Sequence, residues 1–235
     1  MIGLGTIVNT IAVIVGSLIG LLIKGGLKER YQDIIMQALG LATLFIGAAG
    51  AMSGMLKIVN QGLQTQGSML LIGSLVAGSL VGEFLNIELR LEQLGTWIKS
   101  KVNVKNDTTF VEGFVTSALV ICVGAMAIVG ALQDGLQGDP STLFAKAILD
   151  FIIVLVFAST LGIGVTFSAL PLLVYQGSIT IFATFLKPFL TDLVIANLSF
   201  VGSVLIFAVG INLCFGKKIR VANMLPAMII PFFFH

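Results

Sequence analysis

The stretch AILDFIIVLVFASTLGIGVTFSALPLLVYQGSITIFATF, residues 147–185, is apolar almost throughout yet holds one acidic residue, Asp150. Gly162, Gly164, Pro171 and Gly177 interrupt otherwise helical patterns within it, and Ser168, Tyr175 and Gln176 add polar groups. Hydrocarbon accepts broken helices and charges only where protein or a water-filled cavity satisfies them. The stretch therefore predicts the functional core of an all-α integral membrane protein, with a broken or re-entrant region near residues 162–177.

The rest of the 235-residue chain has the same character: 57% of it is hydrophobic, only 10% is charged, and its mean hydropathy is +1.08. A soluble domain carries about 25% charged residues. The formal net charge of +2, with no Lys/Arg run interleaved with aromatics, argues against a nucleic-acid partner. Cys122 and Cys214 lie in apolar stretches outside any metal-ligand spacing, and are expected to be free, buried thiols. The first apolar stretch follows Met1 with no basic segment ahead of it and no small-x-small cleavage site before Lys24, and reads as a retained span.

A span needs about 20 apolar residues. Eight candidates meet that need: 4–23, 37–56, 69–85, 110–132, 143–163, 165–186, 193–215 and 221–234. The fifth and sixth are nearly fused, and the eighth is short and holds Pro226 and Pro231, so seven spans or a re-entrant element at Pro171 or Pro226 is the alternative. Cytoplasmic loops are enriched in Lys and Arg. With the N-terminus outside, the inner loops hold Lys24, Lys28, Arg30, Arg90, Lys99, Lys101, Lys105, Lys217, Lys218 and Arg220, ten of the thirteen basic residues. Only Lys57, Lys146 and Lys187 then fall outside.

Internal repetition is a further signal. VGSLIGLL (15–22) returns as AGSLVGEF (77–84), pairing Gly16 with Gly78, Ser17 with Ser79 and Gly20 with Gly82. Each is followed by a segment of helical period, Leu27, Tyr31, Ile34 and Ala38 in one and Ile87, Leu91, Leu94 and Ile98 in the other, expected to lie on the inner leaflet. FIGAAGAM (45–52) then matches CVGAMAIV (122–129). A third, inverted copy is suggested by residues 200–216 against 114–130, with Ser203 on Ser117 and Gly210 on Gly124. The chain thus reads as one membrane domain with units at 4–56 and 69–132 and a modified unit with a terminal helix at 143–234. Inverted repeats and broken helices recur in secondary transporters. The Gly/Ser faces have a simpler use, letting helices approach closely.

Four blocks carry a resemblance to a family. They are GLGTIVNTIAVIVGSLIG near the start, VEGFVTSALVICVGAMAIVGALQDG (111–135), ILDFIIVLVFASTLGIGVTFSALPLLVYQG (148–177) and ANMLPAMIIP (222–231). Together they resemble the bacterial membrane family catalogued as domain of unknown function 554, over essentially the whole chain. The resemblance implies a multi-pass inner-membrane protein of transporter type and names no substrate.

Polar groups placed in lipid are the candidate site. Asp150 stands about two turns into the fifth span, and Lys146 lies four residues earlier on the same helical face. The pair reads either as an interfacial ion pair with a snorkelling lysine or as a substrate or proton-relay carboxylate. Glu83 follows the second small-residue face where the first has Leu21, and reads as a site residue or an interfacial acid. Glu112 heads the fourth span and suits a helix N-terminus; Asp192 is expected to cap the seventh. Asn9, Gln176, Asn197, Asn212 and Asn223 could each bridge helices. Asn9, Gln176, Asn212 and Asp150 together would offer the oxygens that suit a cation or small polar solute. Glu29, Asp33, Glu88, Glu92, Asp107, Asp134 and Asp139 read as loop acids.

No HExxH, GxSxG, P-loop or convincing GxGxxG is present, and the lone histidine is the final residue, His235. The chain is expected to be no enzyme and to need no cofactor or metal. The favoured expectation is a transporter of a small solute or ion working by alternating access, with substrate-binding residues Asp150, Gln176, Ser168, Asn9, Asn212, Gly162, Gly164 and Glu83. Proton uptake by Asp150 would couple such transport to protons. A channel, or a non-transporting membrane partner, is the alternative. The lipid bilayer is one partner, and a homo-oligomer, most simply a dimer, is expected.

Overall fold

The computed structural model describes residues 2–24, 29–59, 62–102, 108–122 and 125–233. Leu27, Lys28, Lys105, Asp107, Gly124, Phe234 and His235 lie outside the described residues. In chain order the elements are α1 (Leu4–Lys24), α2 (Glu29–Met55), β1 (Leu56–Val59), β2 (Gly62–Thr65), α3 (Ser68–Leu85), α4 (Ile87–Val102), α5 (Phe110–Cys122), α6 (Ala125–Gln137) and α7 (Ser141–Leu161). A 3-10 segment (Ile163–Ser168), α8 (Ala169–Ile181), α9 (Ala183–Leu186), α10 (Asp192–Phe215) and two terminal 3-10 segments (Val221–Met228 and Ile230–Phe233) complete the chain. Among the described residues the fold is all-α apart from one short antiparallel pair, Leu56–Val59 with Gly62–Thr65, which alternation in so short a stretch does not reveal in the sequence.

Among the described residues six helical stretches are long and apolar enough to cross a membrane, and α5 and α6, bent by 63°, add a seventh if they make one broken span. A hydrogen bond between the two ends of this region decides that reading. Thr109, just before α5, donates from Oγ1 to the Leu161 carbonyl at the end of α7, at 2.8 Å. Two crossings return the chain to the side it left, so the α5–α6 pair makes one crossing and α7 the other. The eighth expected span is instead the short 3-10 pair from Val221 to Phe233. Pro226 and Pro231 lack the N–H that an α-helical ladder needs.

The first expected surface helix is also different. Its residues from Glu29 onward belong to a single 27-residue helix, α2, continuous with the span. The second is a separate helix, because Asn86 adopts φ 51° and ends α3 before α4 begins. Trp97 on α4 is exposed, with the Lys101 ammonium 5.9 Å from its ring.

The chain divides into two compact units. The first comprises Met1–Gln37, Arg90–Cys122 and Met126–Lys187. Its small-residue face is used for packing. A Cβ on Gly16 would lie 2.6 Å from the Phe151 carbonyl oxygen, and one on Gly20 2.1 Å from that of Leu155, so α1 and α7 meet backbone to backbone. Gly164 plays the same part in the 3-10 segment, where a Cβ would meet the Phe110 carbonyl oxygen at 1.9 Å. Phe110, Phe114 and Ile98 form a buried apolar cluster there, with Ile163 and Phe167 packed on it. Overpacking such a contact costs about 1–3 kcal/mol and sometimes more. Gly20→Leu is therefore expected to lower the thermal midpoint in detergent markedly. Gly177→Ala, whose Cβ would meet nothing within 4 Å, should leave it unchanged or slightly raised.

The second unit comprises Ala38–Leu89, Val123–Ala125 and Pro188–His235. Here the small-residue face of α3 serves a different neighbour. Gly78 and Gly82 of α3 abut Ala227 and Asn223, a Cβ on Gly82 falling 1.8 Å from the Asn223 carbonyl oxygen. On the opposite face of α3, Ile72, Val76, Leu80 and Phe84 are exposed, as expected for lipid contact. Thr191, not Asp192, caps α10, its hydroxyl accepting from the Val194 amide at 3.3 Å. The hydroxyl one residue earlier sits at the position from which a side chain reaches back to the third amide.

Candidate functional site

Asp150 lies nine residues into the 21-residue α7, about 14 Å along it at 1.5 Å per residue. That is the middle of the span rather than its rim. The i,i+4 spacing brings Lys146 beside it, and the ammonium donates to Asp150 Oδ2 as a buried ion pair. Lys146 does not snorkel. It is 6% exposed, and Nζ also donates to the Ile121 carbonyl at 2.8 Å. That carbonyl belongs to the last described turn of α5, so the ammonium is shared between a carboxylate on its own helix and a backbone acceptor on a second one.

Asn9 approaches from α1, and its Nδ2 donates to Asp150 Oδ2 at 3.0 Å and to Gln176 Oε1 at 3.2 Å. Gln176 reaches in from α8. The close α1–α7 contact through Gly16 and Gly20 makes the first of these bonds reachable by a side chain as short as asparagine. Both amides are wholly buried, and each keeps one group without a protein partner: the acceptor Asn9 Oδ1 and the donor Gln176 Nε2.

The break after α7 supports this arrangement from one end. Gly162 has φ 84°, a left-handed value that favours glycine. Its amide bonds to the Ala158 carbonyl at 3.1 Å, while Thr109 satisfies Leu161. Pro171 falls in the first turn of α8, where a missing N–H has no helical partner to lose. Ser168 is buried, but its hydroxyl donates to the Val165 carbonyl at 2.6 Å and so serves the break itself. At the other end of α7, Ser141 donates to Asp139 from both its amide and its hydroxyl, which hold that exposed carboxyl below the usual carboxylate range.

Of the residues expected to bind substrate, Asp150, Asn9 and Gln176 thus converge, with Gly162, Gly164 and Ser168 shaping the neighbouring break. Asn212 and Glu83 belong to the second unit and have other work there. Asn212 Nδ2 donates to the Ile219 carbonyl at 2.7 Å, and its Oδ1 accepts from the Lys218 and Ile219 amides, each at 2.9 Å. It clamps the turn after α10 instead of lining a site. Glu83 pairs with Arg220 and accepts from Asn223 Nδ2 at 2.7 Å. Asn223 Oδ1 in turn accepts from the Glu88 amide at 2.7 Å, and Lys217 is 2.6 Å from Glu88. These contacts fasten the basic turn to the α3–α4 junction.

One acid expected in a loop is wholly buried. Asp134, on α6, accepts from the Gly3 amide at 3.1 Å and the Gly5 amide at 3.0 Å, anchoring the start of α1. Among the described residues no group of three or more His, Cys, Asp and Glu is placed to hold a metal ion. The two cysteines are free and partly buried.

The sequence matches a family model described as Protein of unknown function (DUF554) over residues 4–235. It is 36% identical over 228 residues to the uncharacterized membrane protein YdfK of Bacillus subtilis strain 168, covering 97% of this chain and 93% of that protein. It is 30% identical over 234 residues to the uncharacterized protein YqgA of Escherichia coli strain K12, covering 97% and 94%. No solved structure matches.

Proposed function

We propose, from the premise that the chain belongs to the DUF554 family of membrane proteins, that it is a transporter of a small solute in the bacterial cytoplasmic membrane, working by alternating access. The observation that carries this reading is the buried polar network at mid-span, Lys146–Asp150–Asn9–Gln176, built from three membrane helices around a break in a fourth. Ionisable residues at such depth are expensive and are retained chiefly where they serve a pathway. A network that leaves two wholly buried polar atoms without protein partners is more than a packing device.

The test is flux in liposomes holding the purified protein. Saturable counterflow of one member of a panel of amino acids, small amides, carboxylates and alkali cations is expected, and its loss in a folded Asp150→Asn variant. A steady conductance in a planar bilayer would favour a channel, and absence of any flux would leave a non-transporting partner.

The N-terminus faces outward in this reading, since ten of thirteen basic residues then lie inside. In a variant without native cysteines, a cysteine at exposed Gln64 should react with a membrane-impermeant maleimide in intact cells. One at exposed Lys218 should react only after permeabilisation. The reverse pattern would invert the topology.

A further inference from the structure

We infer that the mid-span site takes a small neutral or zwitterionic solute bearing a hydrogen-bond acceptor and an adjacent donor, of amide or amino-acid type, and not a bare cation or an anion. This deepens the transport reading, on which it rests for the solute's route. The Lys146 ammonium already occupies the cation position between the Asp150 carboxylate and the Ile121 carbonyl. The pair is neutral as a unit, so neither an added cation nor an added anion finds an uncompensated charge.

The polarity of the two amides follows from that pair. A carboxylate facing an ammonium only accepts hydrogen bonds, so Asn9 must present its NH₂ to Asp150. The same NH₂ donates its second hydrogen to Gln176, which must therefore present its oxygen. Each amide orientation, ordinarily ambiguous, is thereby set in sequence from the ion pair outward. What remains is one acceptor, Asn9 Oδ1, and one donor, Gln176 Nε2, both fully buried and joined through a single hydrogen bond between their parent amides. Two primary amides can bond each other twice; here the second bond is not made, and what would satisfy the two open atoms is one donor plus one acceptor. An amide or amino-acid group supplies both at adjacent atoms.

The experiment is a thermal-shift series on the detergent-purified full chain with acetamide, glycine, alanine, glutamine, acetate, methylammonium, NaCl and KCl at matched ionic strength. Binding to the native state raises the midpoint by mass action. The expected result is a concentration-dependent rise with one or more of the amide and amino-acid probes, absent with acetate, methylammonium and the salts. Gln176→Leu, which removes the donor, should abolish that rise, and Gln176→Glu, which keeps the size and replaces the free donor by an acceptor, should weaken it at least tenfold. A rise with the ions alone overturns the inference, as does a neutral-solute response that survives both Gln176 variants. No rise with any probe on a folded protein also overturns it and assigns the two open atoms to buried water. The transport reading fails separately, if a bound neutral solute shows no counterflow; conversely, saturable cation flux would keep transport and remove this substrate class.

Discussion

Lys146→Met is expected to destabilise the folded protein by about 3–5 kcal/mol, the usual consequence of removing one partner from a buried ion pair. The substitution leaves the Asp150 carboxylate at mid-span with Asn9 as its remaining hydrogen-bond donor among the described contacts, and removes the donor to the Ile121 carbonyl. Asp150→Leu should cost a comparable amount by stranding the ammonium. The combined Lys146→Met/Asp150→Leu variant should recover most of the loss, because apolar replacement of a whole buried pair is often neutral or stabilising. Unfolding of all four proteins in the same detergent closes the cycle. The flux readout then separates stability from function: if the network serves transport, the double variant regains its midpoint but not its activity. Additive losses, with no recovery in the double variant, would mean that the two side chains are not energetically a pair.

Parts of this network are legible in the chain. The four-residue spacing of Lys146 and Asp150 places them on one helical face, and Asn9 and Gln176 stand among the five amides that the sequence sets in apolar stretches. The break is real at Gly162–Ser168, where Gly162 has positive φ and Pro171 follows in the first turn of α8, whereas Gly177, also expected to interrupt, lies inside an unbroken α8. The glycine faces also behave as their spacing suggests, although which helix each one meets is a matter of tertiary packing. Gly20 meets Leu155, while Gly82, at the matching place in the similar GSLVG stretch, meets Asn223.

The misreadings share a different cause. Asn212 and Glu83 are as polar as Asn9, but their partners are backbone groups and basic residues of a turn, and a sequence does not say which amide will be spent on a turn. Lys146 was free to snorkel by length alone. The Ile121 carbonyl that holds it inside lies 25 residues earlier on α5, a long-range partner of which the apolar run gives no sign. Asp134 was hidden for the same reason: its acceptors' partners are amides at the other end of the chain, more than 120 positions away. The one local clue is that helical character continues through ALQDGLQ to Gln137, placing the acid on a helix instead of in a loop.

Asp134→Ala is expected to be the second severe substitution. Its carboxyl oxygens receive the Gly3 and Gly5 amides, which are among the first four N–H groups of α1 and its approach and have no helical carbonyl to bond. Leaving a buried donor unsatisfied costs about 1–3 kcal/mol, so losing both bonds should cost about 2–6 kcal/mol, with a further contribution from the lost negative charge at a helix N-terminus. Asp134→Asn, which retains one oxygen and offers an NH₂ where an acceptor is needed, should lose a large part of the same stability. The consequence reaches the site through geometry. Asn9 lies one turn beyond Gly5, and Thr6 between them is tied to Thr180 of α8 by a hydroxyl contact of 3.3 Å. Freeing the start of α1 therefore loosens the helix that carries Asn9 and one of its ties to the helix that carries Gln176. Hydrogen exchange should report this directly, as faster exchange at residues 5–9 in Asp134→Ala while the α7 amides near Asp150 stay protected. An unchanged midpoint with unchanged exchange in that first turn would show that α1 is held by its glycine face on α7 alone.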